Sequence, residues 1–381
     1  MKMKKYLVRM AALIACAPLF LTSCDDSNDG PSYRYEVYSD DAFIVNSGNM
    51  PSRIDGSLTA IHLANGAVQQ KAFAMANDGQ SLGSVPNDGL VYGDKVYVVV
   101  DQSNAIMVLN RKTLKLIKKI STTDLMGAQE GAEPRHIIAG NGHVFFTTYG
   151  GYLAAVDTVN YALTAKTKVG SYPEGLAGYG NTIIVANSDY ARGNGTISVV
   201  DLNTFRADTR TIQGIHNPQK VFIVDGNVYV LDWSYYEGEW PNSVEKGESA
   251  LRYVTNMTSS KVADAYYASL LDGKFYIISD PYGTPAYSVC DVTANAINGV
   301  TTPLHLSEGV YSPAGIEVDP GTGNLYVLSY NAGDGGYADY SADGYVQVYS
   351  AAGAKLNKYN TGVGPCAVFF NMGVKAVPYN N

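Results

Sequence analysis

The sequence repeats itself about every 46 residues over most of its length, and this repetition limits the folds open to the chain. Each copy opens with Pro or another small residue, passes through a Gly-Asp or Gly-Asn turn, and holds several short apolar stretches. The clearest copies begin at Pro86, Pro134, Pro173, Pro218 and Pro313, with a weaker copy near Asp264 and a last partial copy at Pro365. Fixed periods of about 20–50 residues are typical of solenoids, propellers and other arrays.

The apolar stretches have the composition of β-strands. β-branched and aromatic residues are enriched in them and alternate with other residues, which indicates half-buried strands. The second strands of successive copies are Lys95–Asp101, His143–Tyr149, Thr182–Asn187, Asn227–Asp232, Lys274–Asp280 and Asn324–Tyr330. No window has a convincing helical period. A repeat of this length with about four strands predicts an all-β fold, the β-propeller.

The two ends of the repeat region complement each other. Asp41–Gly48, Ser57–Leu63 and Val68–Ala74 have the pattern of second, third and fourth strands without a first, and Cys366–Asn371 has that of a first strand alone. Joined, they make a blade shared between the termini, which leaves no exposed sheet edge. We therefore predict a seven-bladed β-propeller over residues 41–371, with six or eight blades as the other counts. A β-sandwich gives no reason for the repeat, and a β-solenoid lacks complementary ends.

The first 24 residues have the pattern of an export signal. A positively charged segment, residues 2–9, precedes an uncharged apolar run from Met10 to Leu21, which is too short to span a bilayer. The run ends in Leu21-Thr22-Ser23-Cys24, which resembles the lipobox of bacterial lipoproteins. That resemblance implies that residues 1–23 are a signal peptide and that Cys24 is acylated. An ordinary secretory signal with an incidental cysteine is the alternative.

The residues that follow Cys24 are acidic and polar, and we expect a flexible tether over residues 24–40. The run Asp25-Asp26-Ser27-Asn28-Asp29 resembles the export signal of surface lipoproteins of Bacteroidetes, with a plain solvated linker as the alternative. This resemblance implies an outer-membrane protein that is held by its lipid anchor alone and faces the cell exterior. We expect a C-terminal tail over residues 372–381, and no stretch after the signal has the ~18 apolar residues of a spanning helix.

Acidic residues outnumber basic residues by 35 to 27, and the formal net charge is −8. Binding to a phosphate backbone needs clustered Lys and Arg, so we expect no nucleic acid partner. Apart from Cys16 in the signal and Cys24, the chain has two cysteines, Cys290 and Cys366, in predicted strands of different repeats. Two buried thiols and one disulfide both remain open.

The loops on one face of the predicted propeller are long and aromatic. They join second to third strands or one blade to the next, and long loops on a rigid scaffold commonly carry binding sites. Tyr and Trp supply a large, rigid contact area with a polar group. We predict ligand contacts from Tyr172, Tyr190, Trp233, Tyr235, Tyr236, Trp240, Tyr282, Tyr311, Tyr330, Tyr337 and Tyr340. Ordinary packing of tyrosines at strand edges is the alternative.

Polar residues follow the opening prolines of the repeats. Because these positions are expected to surround the upper mouth of the central channel, we predict that they also contact the ligand. They are Asn87, Arg135, Glu174 and Gln219, with Asp264 expected at the same place in the copy that has no proline. Such a ring is suited to grip amide groups, or else to hold channel water.

Few features of the sequence indicate catalysis or metal binding. None of the five histidines has the spacing of a zinc ligand set, so we expect no metal site. Asp334–Asp343 is rich in Asp and Gly but lacks the ligand spacing of an EF-hand, and it is interpreted as a flexible acidic loop rather than a calcium site. His136, near the channel mouth, resembles in position the histidine of propeller lyases, with a structural role as the alternative. We expect no catalytic residue and no cofactor.

Strand cores that end in Asp, such as Val199-Val200-Asp201 and Ala155-Val156-Asp157, and the Pro-x-Gly openings at Pro173 and Pro313 resemble those of the YVTN or YncE-like propellers. With its lipobox and acidic tether, the whole chain is similar to the cobalamin-binding surface lipoproteins of the BtuG type. This resemblance implies a non-catalytic protein that captures a corrinoid on its loop face and passes it to a TonB-dependent transporter. A glycan-binding or adhesion propeller is the alternative, and a propeller lyase or quinoprotein-like enzyme is a further one.

Overall fold

The computed structural model of the protein describes residues 32–239, 241–293 and 295–379. The predicted signal peptide, Cys24, the first part of the tether and Trp240 lie outside these ranges. Most described residues are in β-strands, and the helical elements among them are α1 (Ala72–Ala76), α2 (Thr122–Met126) and two 3-10 turns at Asp189–Ala191 and Asp334–Gly336. No helix in this part of the chain has the length and apolar character needed to cross a membrane.

The strands follow the predicted repeats closely. In the first half of the chain they are β1 (Ser32–Asn46), β2 (Ser57–His62), β3 (Ala67–Gln69), β4 (Pro86–Tyr92), β5 (Lys95–Val100), β6 (Ala105–Asn110), β7 (Leu116–Ser121), β8 (Pro134–Gly140), β9 (His143–Thr148), β10 (Tyr152–Asp157), β11 (Leu163–Lys168), β12 (Pro173–Tyr179), β13 (Thr182–Asn187), β14 (Thr196–Asp201) and β15 (Arg206–Arg210). In the second half they are β16 (Pro218–Val224), β17 (Asn227–Asp232), β18 (Tyr235–Glu237), β19 (Val244–Lys246), β20 (Ala250–Thr255), β21 (Thr258–Asp264), β22 (Tyr267–Leu271), β23 (Lys274–Ser279), β24 (Ala286–Asp291), β25 (Val300–Pro303), β26 (Ser312–Val318), β27 (Leu325–Tyr330), β28 (Asp343–Tyr349), β29 (Lys355–Val363) and β30 (Pro365–Tyr379).

Antiparallel pairing assembles the described strands into seven four-stranded sheets and the small hairpin β18–β19. Five sheets use four consecutive strands, and a sixth, β16–β17–β20–β21, skips only the hairpin β18–β19. In the remaining sheet, β30 from the C-terminus pairs with β1 from the N-terminus, and β2 and β3 complete it. The all-β propeller fold predicted from the repeat is confirmed. The count of seven blades stays a prediction, with which the seven sheets agree.

The first strand of each sheet lies beside a central channel. The strands β4, β8, β12 and β16 contact one another in succession, and β22, β26, β30 and β4 do the same. The sheets of β16 and β22 meet through Phe222 and Phe275, whose ring centroids are 5.2 Å apart. Proline suits the first position of a strand because it donates no hydrogen bond to the ladder, and this explains the Pro openings of the repeats.

The second strands are more deeply buried than the half-buried strands expected from their alternation. In β5, all five residues from Val96 to Val100 are fully buried. The reason is that both faces of each blade are covered by neighbouring blades: Tyr97 of one sheet packs in the same apolar cluster as Phe146 of the next. Fully burying a side chain such as Phe146 stabilises the fold by roughly 1.5–3 kcal/mol relative to leaving it exposed.

The strands β1 and β30 continue past the blade as a two-stranded ribbon, residues 32–39 paired with residues 372–379. The expected tether and tail therefore differ from the structure here, because β-prone residues such as Tyr33, Tyr35 and Val374 extend the pairing on both strands. Arg111 holds the base of the ribbon by donating hydrogen bonds to Asn371 and to the backbone oxygen of Met372.

Cys290 and Cys366 are free thiols and lie in different sheets. Cys290 is fully buried in the apolar cluster that contains Phe222 and Phe275. This result excludes the disulfide that the sequence left open. Cys366 stands at the second position of β30, beside the channel, where its sulfur is 3.4 Å from the backbone oxygen of Val45.

Candidate ligand-binding site

A central cavity of about 550 Å³ opens on the upper face, which is defined here as the face of the loops that join second to third strands. Its volume lies within the range of about 300–1,000 Å³ that is usual for small-molecule sites. Among the predicted contact residues, those that line the cavity are Asn87, Arg135, Glu174, Gln219, Trp233, Tyr282, Tyr330 and Tyr340. The structure thus joins residues of six sheets, far apart in sequence, around one space.

One side of the cavity is a charged network centred on Arg135. The guanidinium donates through Nη1 to Asp101 Oδ2 at 2.6 Å and through Nε to Glu174 Oε2 at 3.0 Å. Its carbon lies 4.6 Å from the centre of the Tyr149 ring, and the Tyr149 hydroxyl donates to Glu174. Burial alone opposes the charged form of Arg135, but the carboxylates of Glu174 and Asp101 raise its pKa above the usual value. The network is a fixed wall built around the charged guanidinium of Arg135.

His136 extends this wall toward Asp88. Its Nδ1 lies 3.1 Å from Asp88 Oδ2, and its Nε2 lies 3.6 Å from Glu174 Oε2. Asp88 also accepts a hydrogen bond from the backbone of Ile137. A histidine between two carboxylates is able to relay protons, but both of its nitrogens already face groups of the protein itself.

The other side of the channel mouth is small and apolar. At the position that holds Asn87, Arg135, Glu174 and Gln219 in four sheets, two of the remaining sheets have Ala314 and Cys366. In the third, Ala268 lines the cavity from a deeper position of the inner strand. Burial raises the pKa of the Cys366 thiol to about 12, so this group is neutral at ordinary pH.

Asp264 does not belong to the ring, and this expectation was wrong. It ends the outer strand β21, where its exposed carboxylate pairs with Lys261 at 2.6 Å. The inner strand β22 begins three residues later at Tyr267, which lines the cavity. Because this copy lacks an opening proline, the sequence offered no marker for the start of its inner strand.

Aromatic side chains form a wall above the apolar side. Trp233 stacks on Tyr266 with ring centroids 4.3 Å apart and donates through Nε1 to the backbone oxygen of Tyr266 at 2.6 Å. The Tyr266 hydroxyl lies 3.3 Å from that of Tyr282, which is 70% exposed at the cavity mouth. Tyr330 packs edge-on against Tyr340 at 4.7 Å, and burial raises the pKa of Tyr330 to about 12.

Tyr172 and Tyr190 belong to a separate aromatic cluster on the upper face. Tyr149, Tyr172 and Tyr190 contact one another with centroid distances of 5.0 to 6.2 Å. Arg192 lies over the rings of Tyr172 and Tyr190 at 5.5 and 5.9 Å. Of the three tyrosines, Tyr149 is the one that also lines the central cavity.

Among the described residues, the other predicted contacts do not line the central cavity. Tyr235 packs on His216 beside a second cavity, and Tyr236, its neighbour in β18, is half exposed. Tyr311 lies in a loop between blades, and Tyr337 is the most exposed of the set, at 78%. These residues lie in connections between second and third strands or between blades, where neighbouring side chains such as those of Tyr235 and Tyr236 point to different sides.

The sequence prediction missed Tyr149, Tyr267, Lys220 and Glu317, all of which line the central cavity. Lys220 and Glu317 come from the inner strands β16 and β26, and they form an ion pair of 3.4 Å across the channel. A usable sequence signal existed for two of them: Lys220 follows the opening Pro218 by two residues, and Tyr149 ends a predicted second strand. Within the described ranges, no group of three or more His, Cys, Asp or Glu side chains is arranged to hold a metal ion.

Fold and site together define a β-propeller with a polar and aromatic cavity on one face. Comparison with family models extends this description: residues 40–371 match the family DUF5074, a domain of unknown function, and the chain belongs to that family. A search of the curated proteins finds no match to the sequence.

Among solved structures, the hydrazine synthase of Kuenenia stuttgartiensis is similar in fold, with a TM-score of 0.54 and 12% identity over 77% of this chain and 95% of that one. The β-propeller domain of Cps50 (Swd1) from Myceliophteria thermophila has a TM-score of 0.51 and 9% identity over 77% of this chain and 96% of that one. At such low identity, these likenesses support the propeller fold alone.

Proposed function

We propose that this protein is a non-catalytic binding protein that captures a corrinoid in the central cavity. The observation that carries the proposal is the division of the cavity into two unlike sides. Asn87, Gln219 and the Arg135 network offer donors and acceptors, while Trp233 and Tyr282 offer flat apolar surface. A corrinoid is a wide, rigid ring with apolar faces and a fringe of amides, so it requires both kinds of surface together.

The charged wall around Arg135 is already ordered without a ligand, and this favours binding over catalysis. The charged groups of Arg135 and Glu174 are bonded to each other and to Asp101 and Tyr149. A site whose groups are already ordered loses little conformational entropy when a ligand binds. A catalytic acid or base would instead need a proton-transfer group free to reach the substrate.

We further propose that the protein is an outer-membrane lipoprotein, acylated at Cys24, that passes its ligand to a TonB-dependent transporter. The lipobox and the acidic residues after it support the anchor. The ribbon supports an orientation: β30 starts at the cavity with Pro365 and ends at the opposite, lower face, where it pairs with Ser32. Because the predicted anchor lies only eight residues before Ser32, the cavity mouth faces away from the anchored end.

The test uses the chain that begins at Asp25, mixed with cyanocobalamin and passed through a gel-filtration column. Co-elution of the coloured ligand with the protein is the expected result. Tyr282→Ala removes the most exposed part of the aromatic wall and is expected to weaken binding by about 10-fold, as for an interface hot spot. Tyr179→Ala is the matched control, because Tyr179 is similarly exposed but ends β12 at the lower face.

Absence of co-elution at micromolar protein and ligand would overturn corrinoid capture. The exposed tyrosines of the upper face would then favour the glycan-binding alternative, to be tested by adding oligosaccharides to the same column. Equal losses of affinity for Tyr282→Ala and Tyr179→Ala would show that the ligand binds outside the central cavity.

A further inference from the structure

A second cavity of about 350 Å³ lies on the upper face next to the central one. Trp233 lines both cavities, so a ligand that covers this residue reaches into each. The other walls are the loop before β16, the end of β17, the hairpin β18–β19 and the start of β20. This space is called the side cavity below.

Arg252 is a fixed part of the wall of the side cavity. Its side chain is 14% exposed, and its Nε lies 3.3 Å from Asp232 Oδ2 without the geometry of a hydrogen bond. Within the described ranges, this buried Nε has no hydrogen-bond partner. Asp232 cannot turn toward it, because Oδ1 accepts from the backbone N–H groups of His216 and Asn217 at 3.0 and 2.8 Å. Because this Nε is enclosed by the protein, the pair with Asp232 fixes the guanidinium in the cavity wall and does not leave an open donor.

Two stacked rings form another wall of the side cavity. His216 and Tyr235 lie with centroids 4.8 Å apart and planes 23° from parallel. Two glycines allow Tyr235 to lie there: a Cβ at Gly193 would come within 2.5 Å of its ring, and a Cβ at Gly247 within 3.2 Å. The backbone of two loops thus fixes an aromatic platform that is only partly covered by the protein.

The charges around the cavity include no excess of positive charge. Arg252 pairs with Asp232 and Glu248, and Lys261 pairs with Glu248 at 2.7 Å and with Asp264 at 2.6 Å. A strongly anionic group such as a free phosphate therefore gains little from this site. A neutral, planar group stacks on the platform without bringing a further charge next to these carboxylates.

We propose that the side cavity is a second subsite that binds a planar heteroaromatic substituent of the ligand held in the central cavity. This inference rests on the proposed function. For a corrinoid, the substituent is the benzimidazole base at the end of the nucleotide loop, which reaches past Trp233 while the ring system covers the central cavity. Any planar base stacks on an aromatic side chain, because every base has a π-face. Such a contact typically changes affinity by about 5- to 150-fold.

The experiment measures Kd for cyanocobalamin and for dicyanocobinamide, which has the same ring but no base. Tyr235→Ala is expected to weaken cyanocobalamin binding by about 10-fold and to leave dicyanocobinamide binding unchanged. His216→Ala should show the same selectivity to a smaller degree. Tyr179→Ala, on the lower face, serves as the control, and the melting temperature of each variant shows that it is folded.

Equal effects of Tyr235→Ala on both corrinoids, or no effect on either, would overturn the subsite. If the wild-type chain binds neither corrinoid, the proposed function fails, and free 5,6-dimethylbenzimidazole tests the subsite separately by ligand-observed NMR. Saturable binding that Tyr235→Ala abolishes would support the side cavity as a heteroaromatic site, and absence of binding at millimolar concentration would refute it.

Discussion

Removal of the Arg135 side chain tests whether the charged wall of the central cavity is a buried network. The change Arg135→Met keeps the length and apolar stem of the side chain but leaves two carboxylates without their cation. The side chains of Asp101 and Glu174 are only 3% and 6% exposed. Breaking a buried ion pair by removing one partner typically destabilises a protein by roughly 3–5 kcal/mol.

A second argument gives a similar magnitude. A buried carboxylate that has lost its cation is able to take up a proton, and for an ordinary aspartate at pH 7 this costs about 4 kcal/mol. At pH 5 the same protonation costs about 1.5 kcal/mol. We therefore expect Arg135→Met to lower the free energy of unfolding by roughly 3–5 kcal/mol at pH 7 and by clearly less at pH 5.

The assay is urea denaturation at both pH values, with the chain that begins at Asp25. The triple variant Asp101→Asn, Arg135→Met, Glu174→Gln removes the orphaned charges and should recover part of the loss. Arg210→Met is the matched control, because its pair with Asp208 is about half exposed on both sides and exposed pairs contribute about 0–1 kcal/mol. A loss below about 1 kcal/mol for Arg135→Met, equal to that of Arg210→Met, would refute the reasoning and indicate a hydrated wall.

Two further predictions use other parts of the molecule. Burial raises the pKa of the Cys366 thiol to about 12, so its alkylation rate should rise about 10-fold per pH unit from pH 7 to pH 10; a plateau near pH 8.5–9 would contradict this. Deleting residues 373–381 should lower the melting temperature by only a few degrees, because an isolated two-stranded ribbon is at best marginally stable. A loss of cooperative unfolding in calorimetry would show instead that the ribbon supports the ring.

The arrangement of the cavity suggests how a corrinoid would be held. Rigid inner strands carry Asn87, Arg135 and Glu174, while loops carry Tyr282 and Tyr340. Groups on inner strands are fixed by the packing of whole blades, and groups on loops adapt more readily. We therefore expect changes in the strand residues to alter both stability and binding, and changes in the loop tyrosines to alter binding alone.

Sequence patterns found some site residues for a physical reason. Positions one repeat apart occupy equivalent places in neighbouring blades, and around the channel they touch: the Asn87 side chain donates to the backbone oxygen of Arg135 at 2.8 Å. The opening prolines marked these positions in four blades. In the blade that begins at Tyr267 the proline is absent, and the prediction placed Asp264 there instead.

The sequence by itself determined the all-β propeller, the pairing of the two ends and the face on which the long aromatic loops lie. These features depend on the local alternation of apolar and polar residues and on the repeat length, and both are visible in the sequence. Only the tertiary structure decided which side chains share a cavity. Arg135 bridges Asp101 and Glu174 across three blades, and Tyr235 lies in the side cavity while Tyr282 lies in the central one. Such contacts depend on how the blades pack against each other and on how the loops fold over the cavities. The sequence repeat predicts neither.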